Sequence, residues 1–224
     1  MDILNDARLH LVDFLKGKQN GFKTRHPWRK GWEFTAMHCL RVEAYTLKIL
    51  ARENHPLSEN EITRLRLAAI LHDLAKLEQT DDHARLGAEL AGQWLQGYAG
   101  NPLTGEETGR VVEMIAEHSN KAVREQDFSK AVLKDADLLD EIGVMSIFMS
   151  SNWLDNKTPF FFHDLHQRLA DFEIPFCDRT LATLNTEGAR KLLEEKKAFI
   201  ETFIAQLGNE LQADELIAKM RKEP

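Results

Sequence analysis

The chain has 224 residues, a length that makes one domain the expectation and leaves room for two small ones. Apolar residues at 43% and charged residues at 29% exclude a disordered chain, and 12 Gly with 6 Pro are too few for a fold of many hairpins. A formal charge of −7 argues against a partner held through a long phosphate backbone, and two cysteines argue against a disulfide framework.

Residues 3–16 place Ile3, Ala7, Leu11, Phe14 and Leu15 on one stripe at helical spacing. An aromatic and basic stretch follows, with Arg25, Trp28, Arg29, Lys30 and Trp32. It either stacks on a base and meets phosphates or staples the first helix to the core, and both readings stay open. A helix is expected over about 34–53. Ser58-Glu59-Asn60-Glu61 has capping-box spacing and opens a helix expected to run through Leu77. Asp81 or Asp82 can cap the next, to about Gly97, and Thr104-Gly105-Glu106-Glu107 fits a second capping box for a helix ending near His118. A long apolar segment covers about 130–153, a further helix 161–171, and Asn185 can cap a last helix to about 211. Alternating β-branched patterns are almost absent, so the fold class is all-α.

Histidines and aspartates recur on successive helices: His38, the doublet His72-Asp73, His83, His118, and the run Lys134-Asp135-Ala136-Asp137. Imidazole with carboxylate and no thiolate suits a divalent ion that activates water: Mn, Fe, Co, Mg, Zn or Ni, one or two per chain. The doublet ends an apolar helix, where burying both groups costs several kcal/mol unless something pairs them. Lys76 lies one turn on, where a cation could hold a phosphate oxygen beside a metal. His163-Asp164 repeats the dipeptide without the ordered partners and is read as structural or surface.

The order His…His-Asp…Asp, with Lys three residues after the doublet, resembles the HD superfamily of metal-dependent phosphohydrolases. Glu117-His118-Ser119, the stretch from Lys134 to Gly143 and Asn185-Thr186-Glu187-Gly188-Ala189-Arg190 look like a bacterial subgroup that includes nucleotide pyrophosphohydrolases. The resemblance implies an HD-domain helical bundle with an additional C-terminal helical extension. The whole chain, 1–224, would be one domain, with metal-site helices over about 34–155 and a helical C-terminal portion over about 156–224.

It further implies His38, His72, Asp73 and Asp137 as ligands of a first ion, with Asp135 a rival to Asp137. His83 and His118 would bind a second ion or contact phosphate. Asp73 and Lys76 would be catalytic. Lys76, His118 and Arg41 would meet substrate, although Arg41 could equally pair with Glu43 or Glu33. Asp140 reads as an orienter of a ligand or as a helix-surface charge. The expected function is metal-dependent hydrolysis of a phosphoester or phosphoanhydride of a small nucleotide. Hydrolysis of dinucleoside polyphosphates and a non-catalytic nucleotide- or metal-sensing module are the alternatives. No run approaches the ~18 apolar residues of a membrane span, and no basic and apolar leader precedes the first helix, so a cytoplasmic protein is expected. The stripe of residues 1–16 and Phe160–Phe162 could cover the core or a homodimer partner.

Overall fold

A computed structural model of the chain describes residues 2–19, 26–78, 81–121, 124–211 and 214–221. Among these there is no strand, only an isolated antiparallel bridge between Gln19 and Gly31. The all-α expectation is met. No helix among the described residues is long and apolar enough to cross a membrane.

The chain divides into two compact units, residues 1–140 with 183–190, and residues 141–182 with 191–224. The first holds α1 (Ile3–Leu15), a 3-10 turn (Pro27–Arg29), α2 (Trp32–Leu50), α3 (Glu59–Leu71), α4 (His83–Gly97), α5 (Gly105–Glu117) and α6 (Phe128–Leu139). Helix α2 packs on α3 and α6, α3 on α5, and α5 on α4, while α1 lies against α2 and α3. Helix α3 is apolar on every side near its end: Leu67, Ala68, Ala69, Ile70 and Leu71 are all fully buried. Such a helix belongs at the centre of a bundle, and it is there that the His72-Asp73 doublet is delivered.

Local signals set most helix starts. Both capping boxes form: Ser58 accepts from Glu61 N and Thr104 from Glu107 N, with each glutamate reaching back to the cap. Asp82 precedes α4, but its carboxylate engages Arg85 instead of a helix amide. Helix α3 stops at Leu71, six residues short of expectation. Turns with three-residue hydrogen bonds follow, Lys76 N to Asp73 O among them. In α1, Phe14 is only half-buried, and Leu4 joins the core in its place.

One buried ion-pair network ties three helices. Glu43 of α2 accepts from Arg8 of α1 at 2.5 Å and from Arg66 of α3 at 2.8 Å, so its carboxylate is committed to those two arginines and Arg41 pairs elsewhere, with Asp140. The segment 183–190 is held by acceptors far away in sequence: Asp135 takes hydrogen bonds from Asn185 and Thr186, and Glu53 takes one from Gly188 N. Asn185 was the expected cap, but the Thr186 hydroxyl accepts from Ala189 N, and Asn185 Oδ1 accepts from Glu125 N.

The second unit contains α7 (Val144–Ser151), α8 (Phe161–Arg168), a π-helical segment (Leu169–Glu173), α9 (Ile174–Thr183) up to Ala182, and α11 (Asp214–Met220). Helix α10 (Glu187–Leu211) starts in the first unit and contributes residues 191–211 to the second. The apolar segment expected over 130–153 is two helices, α6 and α7, separated by Glu141 and Gly143 at positive φ. The helix expected to end at 171 continues through the π segment into α9. That segment widens just before Pro175, which cannot donate a backbone hydrogen bond.

Candidate metal centre

The ends of α3 and α5 present histidines in the same way. His72 and His118 are the C-cap residues of those helices, and each Nδ1 lies on the carbonyl three residues back, Ala69 O at 2.8 Å and Ile115 O at 2.7 Å. A carbonyl only accepts, so Nδ1 carries the proton and Nε2 is the atom each ring offers to the site. His38, in the middle of α2, is oriented from behind by Asp140: Nδ1 meets Asp140 Oδ2 at 2.7 Å. A carboxylate behind a histidine is the arrangement that fixes ring and tautomer for metal binding.

Around Asp73 these nitrogens form two groups. Oδ2 lies 3.6 Å from His38 Nε2 and 3.7 Å from His72 Nε2, while Asp137 Oδ1 is 3.2 Å from His38 Nε2. On the other side, Oδ1 lies 3.4 Å from His83 Nε2 and 3.5 Å from His118 Nε2. His38, His72 and Asp73 form one set of mutually close ligand atoms. Asp73, His83 and His118 form another, and His72, His118 and Asp137 a third. All six ligand candidates read from the sequence are therefore brought together. Asp135 is not among them, because its carboxylate is spent on Asn185 and Thr186. His163 and His166 belong to no such group among the described residues; Asp164 is paired with Arg221 in the second unit.

The cluster is deeply buried. His72 is fully buried, and the Asp73 and His118 side chains are 5% and 1% exposed. Burial pushes the His72 imidazole down to about 4, so its Nε2 is an open lone pair at neutral pH. Burial would also lower His38, but hydrogen bonds to Asp137 and Asp140 outweigh it and raise that ring to about 9. Burial opposes ionisation of Asp73, yet the surrounding imidazoles and Lys76 hold its carboxyl well below the usual range. Asp137 is held low in the same way, chiefly by Lys121. Next to His38, Cys39 is buried and its thiol is pushed well up, as expected of a small core residue.

A divalent cation fits these residues. Asp73 Oδ1 is buried with no hydrogen-bond partner although three cationic or imidazole nitrogens stand within 3.7 Å of it. An orphaned buried carboxylate oxygen is costly, and an ion bridging it to the imidazoles removes the cost. The mixed N/O donor set matches ions of the Mn, Fe, Co, Zn class and contains no thiolate.

Cations border the cluster. Lys76 Nζ is 3.1 Å from His83 Nε2 and 3.7 Å from Asp73 Oδ1. Arg41 makes a two-pronged contact with Asp140, at 2.7 and 2.9 Å, and so supports the carboxylate that orients His38. Lys121 escaped the sequence reading and lies 2.5 Å from Asp137 Oδ2. A signal was available, since Lys121 follows His118 by three residues as Lys76 follows Asp73. Of the aromatic and basic stretch, Arg25 lies outside the described residues. Arg29 and Arg41 both stand over the Phe34 ring, at 5.5 and 5.4 Å, and His26 packs on Trp28. A bare glycine lets the doublet's turn approach α4: a Cβ at Gly87 would stand 3.1 Å from His72 O.

Residues 35–142 match the family model described as HD domain, a span that holds all six grouped ligand candidates with Lys76, Lys121, Arg41 and Asp140. Among solved structures the chain is similar to a predicted HD superfamily hydrolase from an uncultured Thermotogales bacterium. The identity is 21% over 93% of this chain and 92% of that one, with a TM-score of 0.61. It is also similar to Bacillus subtilis YpgQ, solved in complex with ADP, at 21% identity over 93% and 98% of the two chains and a TM-score of 0.57. No curated protein matches the chain.

Proposed function

We propose that this protein is a metal-dependent phosphohydrolase that cleaves a phosphoester or phosphoanhydride of a small nucleotide. The observation that carries the reading is Asp73, whose two oxygens face two separate pairs of histidines. Similarity to a structure that holds ADP supports a nucleotide as the substrate.

His38, His72, Asp73 and Asp137 would hold a first ion, and His83 and His118, with the other oxygen of Asp73, a second. Such an ion, when bound, supplies Lewis acidity and a water that ionises near neutral pH. The chain's own residues do the rest. Asp73 stays a carboxylate at neutral pH, which suits a bridging ligand better than a proton acceptor. Lys76 meets His83 Nε2 and Asp73 Oδ1; with an ion on those atoms, its ammonium protons would be free for a phosphoryl oxygen as negative charge grows there. Asp140 keeps His38 Nε2 turned to the site, and Arg41 keeps Asp140 in place.

The test is product analysis with metal-stripped protein, wild type and Asp73→Ala, supplied with Mn2+, Co2+, Mg2+ or no ion and a panel of nucleotides. Turnover that needs an ion and disappears in Asp73→Ala is expected. Release of phosphate or pyrophosphate then names the cleaved bond. A rate retained in Asp73→Ala, or no phosphohydrolysis with any ion, overturns the reading.

A further inference from the structure

We propose that Lys121 is a substrate-binding residue, holding an anionic group on the Asp137 side of the cluster as Lys76 does on the Asp73 side. The inference rests on the hydrolase reading and adds a residue to it. Among the described residues, Lys121 Nζ meets Asp137 at its outer oxygen, Oδ2. The inner one, Oδ1, points to His38 Nε2 at 3.2 Å and His72 Nε2 at 3.9 Å. Lys121 therefore stands beside the ligand atoms without lying among them.

Burial separates the layers. The Asp73 and Asp137 side chains are 5% and 13% exposed, whereas Lys76 and Lys121 are 34% and 28% exposed. Two long, mobile-headed cations thus sit at the open edge of a buried ligand cluster, each tethered to a carboxylate and each with ammonium protons to spare. Arg41 differs: two arms of its fork are already on Asp140, whose side chain is 1% exposed.

Charge points the same way. Asp73, Asp137 and Asp140 are balanced one for one by Lys76, Lys121 and Arg41. A divalent ion bound among these paired charges leaves an excess of positive charge for the substrate to neutralise. Cations on two sides of the cluster suit an anion that carries charge on two linked groups, so the residue pair favours a phosphoanhydride over a monoester.

The experiment compares the full chain, metal-stripped, as wild type, K121Q and K121R. Calorimetric titration with Mn2+ alone comes first; K121Q should bind the ion no more weakly than wild type, since Asp137 has lost a competing cation. Equilibrium binding of inorganic pyrophosphate to the Mn2+-loaded proteins comes second. K121Q should weaken it about 10- to 100-fold, the loss expected for a hydrogen bond to a charged group. K121R, which keeps the charge, should retain most of the affinity, and orthophosphate binding should change less. The KM for any phosphoanhydride substrate should rise in K121Q more than kcat falls. K121Q that loses Mn2+ but binds pyrophosphate normally once loaded would make Lys121 a prop for Asp137 and overturn the proposal. Unchanged pyrophosphate affinity and KM in K121Q, with wild type active, would overturn this inference alone. A wild type that turns over no phosphate ester or anhydride would remove the hydrolase reading and this inference with it.

Discussion

His72 and His118 make the same hydrogen bond at the ends of different helices, and their rings meet edge to face with 4.9 Å between centroids. Each ring's proton is placed by a backbone carbonyl of its own helix, so both Nε2 atoms are aimed at Asp73 before any ion arrives. A site preorganised in this way should load metal without refolding.

The first prediction follows from that geometry. Adding Mn2+ to metal-stripped protein should raise the melting temperature, by the equivalent of about 2.7 kcal/mol at a hundredfold excess over Kd. Helix content by circular dichroism should not change. Asp73→Asn should abolish the shift and keep the helix content. A chain that unfolds on metal removal would contradict the preorganised site.

Asp135 and Asp137 should separate cleanly. Asp135 accepts from Asn185 and Thr186, so Asp135→Asn leaves donors without partners and should cost about 3 kcal/mol in urea unfolding. Its metal affinity, measured by titration, should stay near wild type. Asp137→Asn should do the reverse, losing affinity with a smaller change in stability. Equal effects of the two variants on metal binding would sink the distinction.

Asp140 is not among the proposed ligands of the ion, yet it should matter for ion binding. Removing its charge in Asp140→Asn frees the His38 ring and loosens Arg41. Metal affinity should fall about 10- to 100-fold, as for other partners behind a ligand. Titration of the stripped variant checks this directly.

The pH dependence of stability has a component outside the ligand cluster. His10 stacks on Trp94 with 5.0 Å between centroids, and burial lowers its pKa below the ordinary 6.5, against the pull of Asp13. The unfolded chain therefore takes up a proton at His10 before the folded one does. Its contribution is fully present above about pH 6.5 and is lost as pH falls through the lowered folded value. Urea unfolding of wild type and His10→Gln should show a stability difference that shrinks from about pH 7.5 to 5.5. A difference independent of pH over that range would refute the assignment.

What the sequence revealed and what it hid follow from distance along the chain. Capping boxes at Ser58 and Thr104 are legible because each cap and its glutamate lie three residues apart. The ordered ligand candidates are legible because each sits where an apolar helix pattern is broken by a histidine or aspartate. Asp135 and Asp137 could not be told apart, since the donors that occupy Asp135 are 50 and 51 residues away. Arg41 finds Asp140 across 99 residues, so acids within its own helix were the natural candidates. The end of α3 at Leu71 was obscured because Leu74, Ala75 and Leu77 carry the buried apolar pattern on through the turns after it.

Gly87 gives the site a control point with no side chain. Its bare backbone lets the turn carrying His72 settle against α4, where a Cβ would stand 3.1 Å from His72 O and the turn would have to give by a few tenths of an ångström. One added methyl would act as a wedge beneath that turn and tilt His72 relative to His38, which is carried by another helix. Gly87→Ala would then shift the metal centre slightly while altering none of its ligands. Tuning the geometry from there would need no change to the chemistry of the donors.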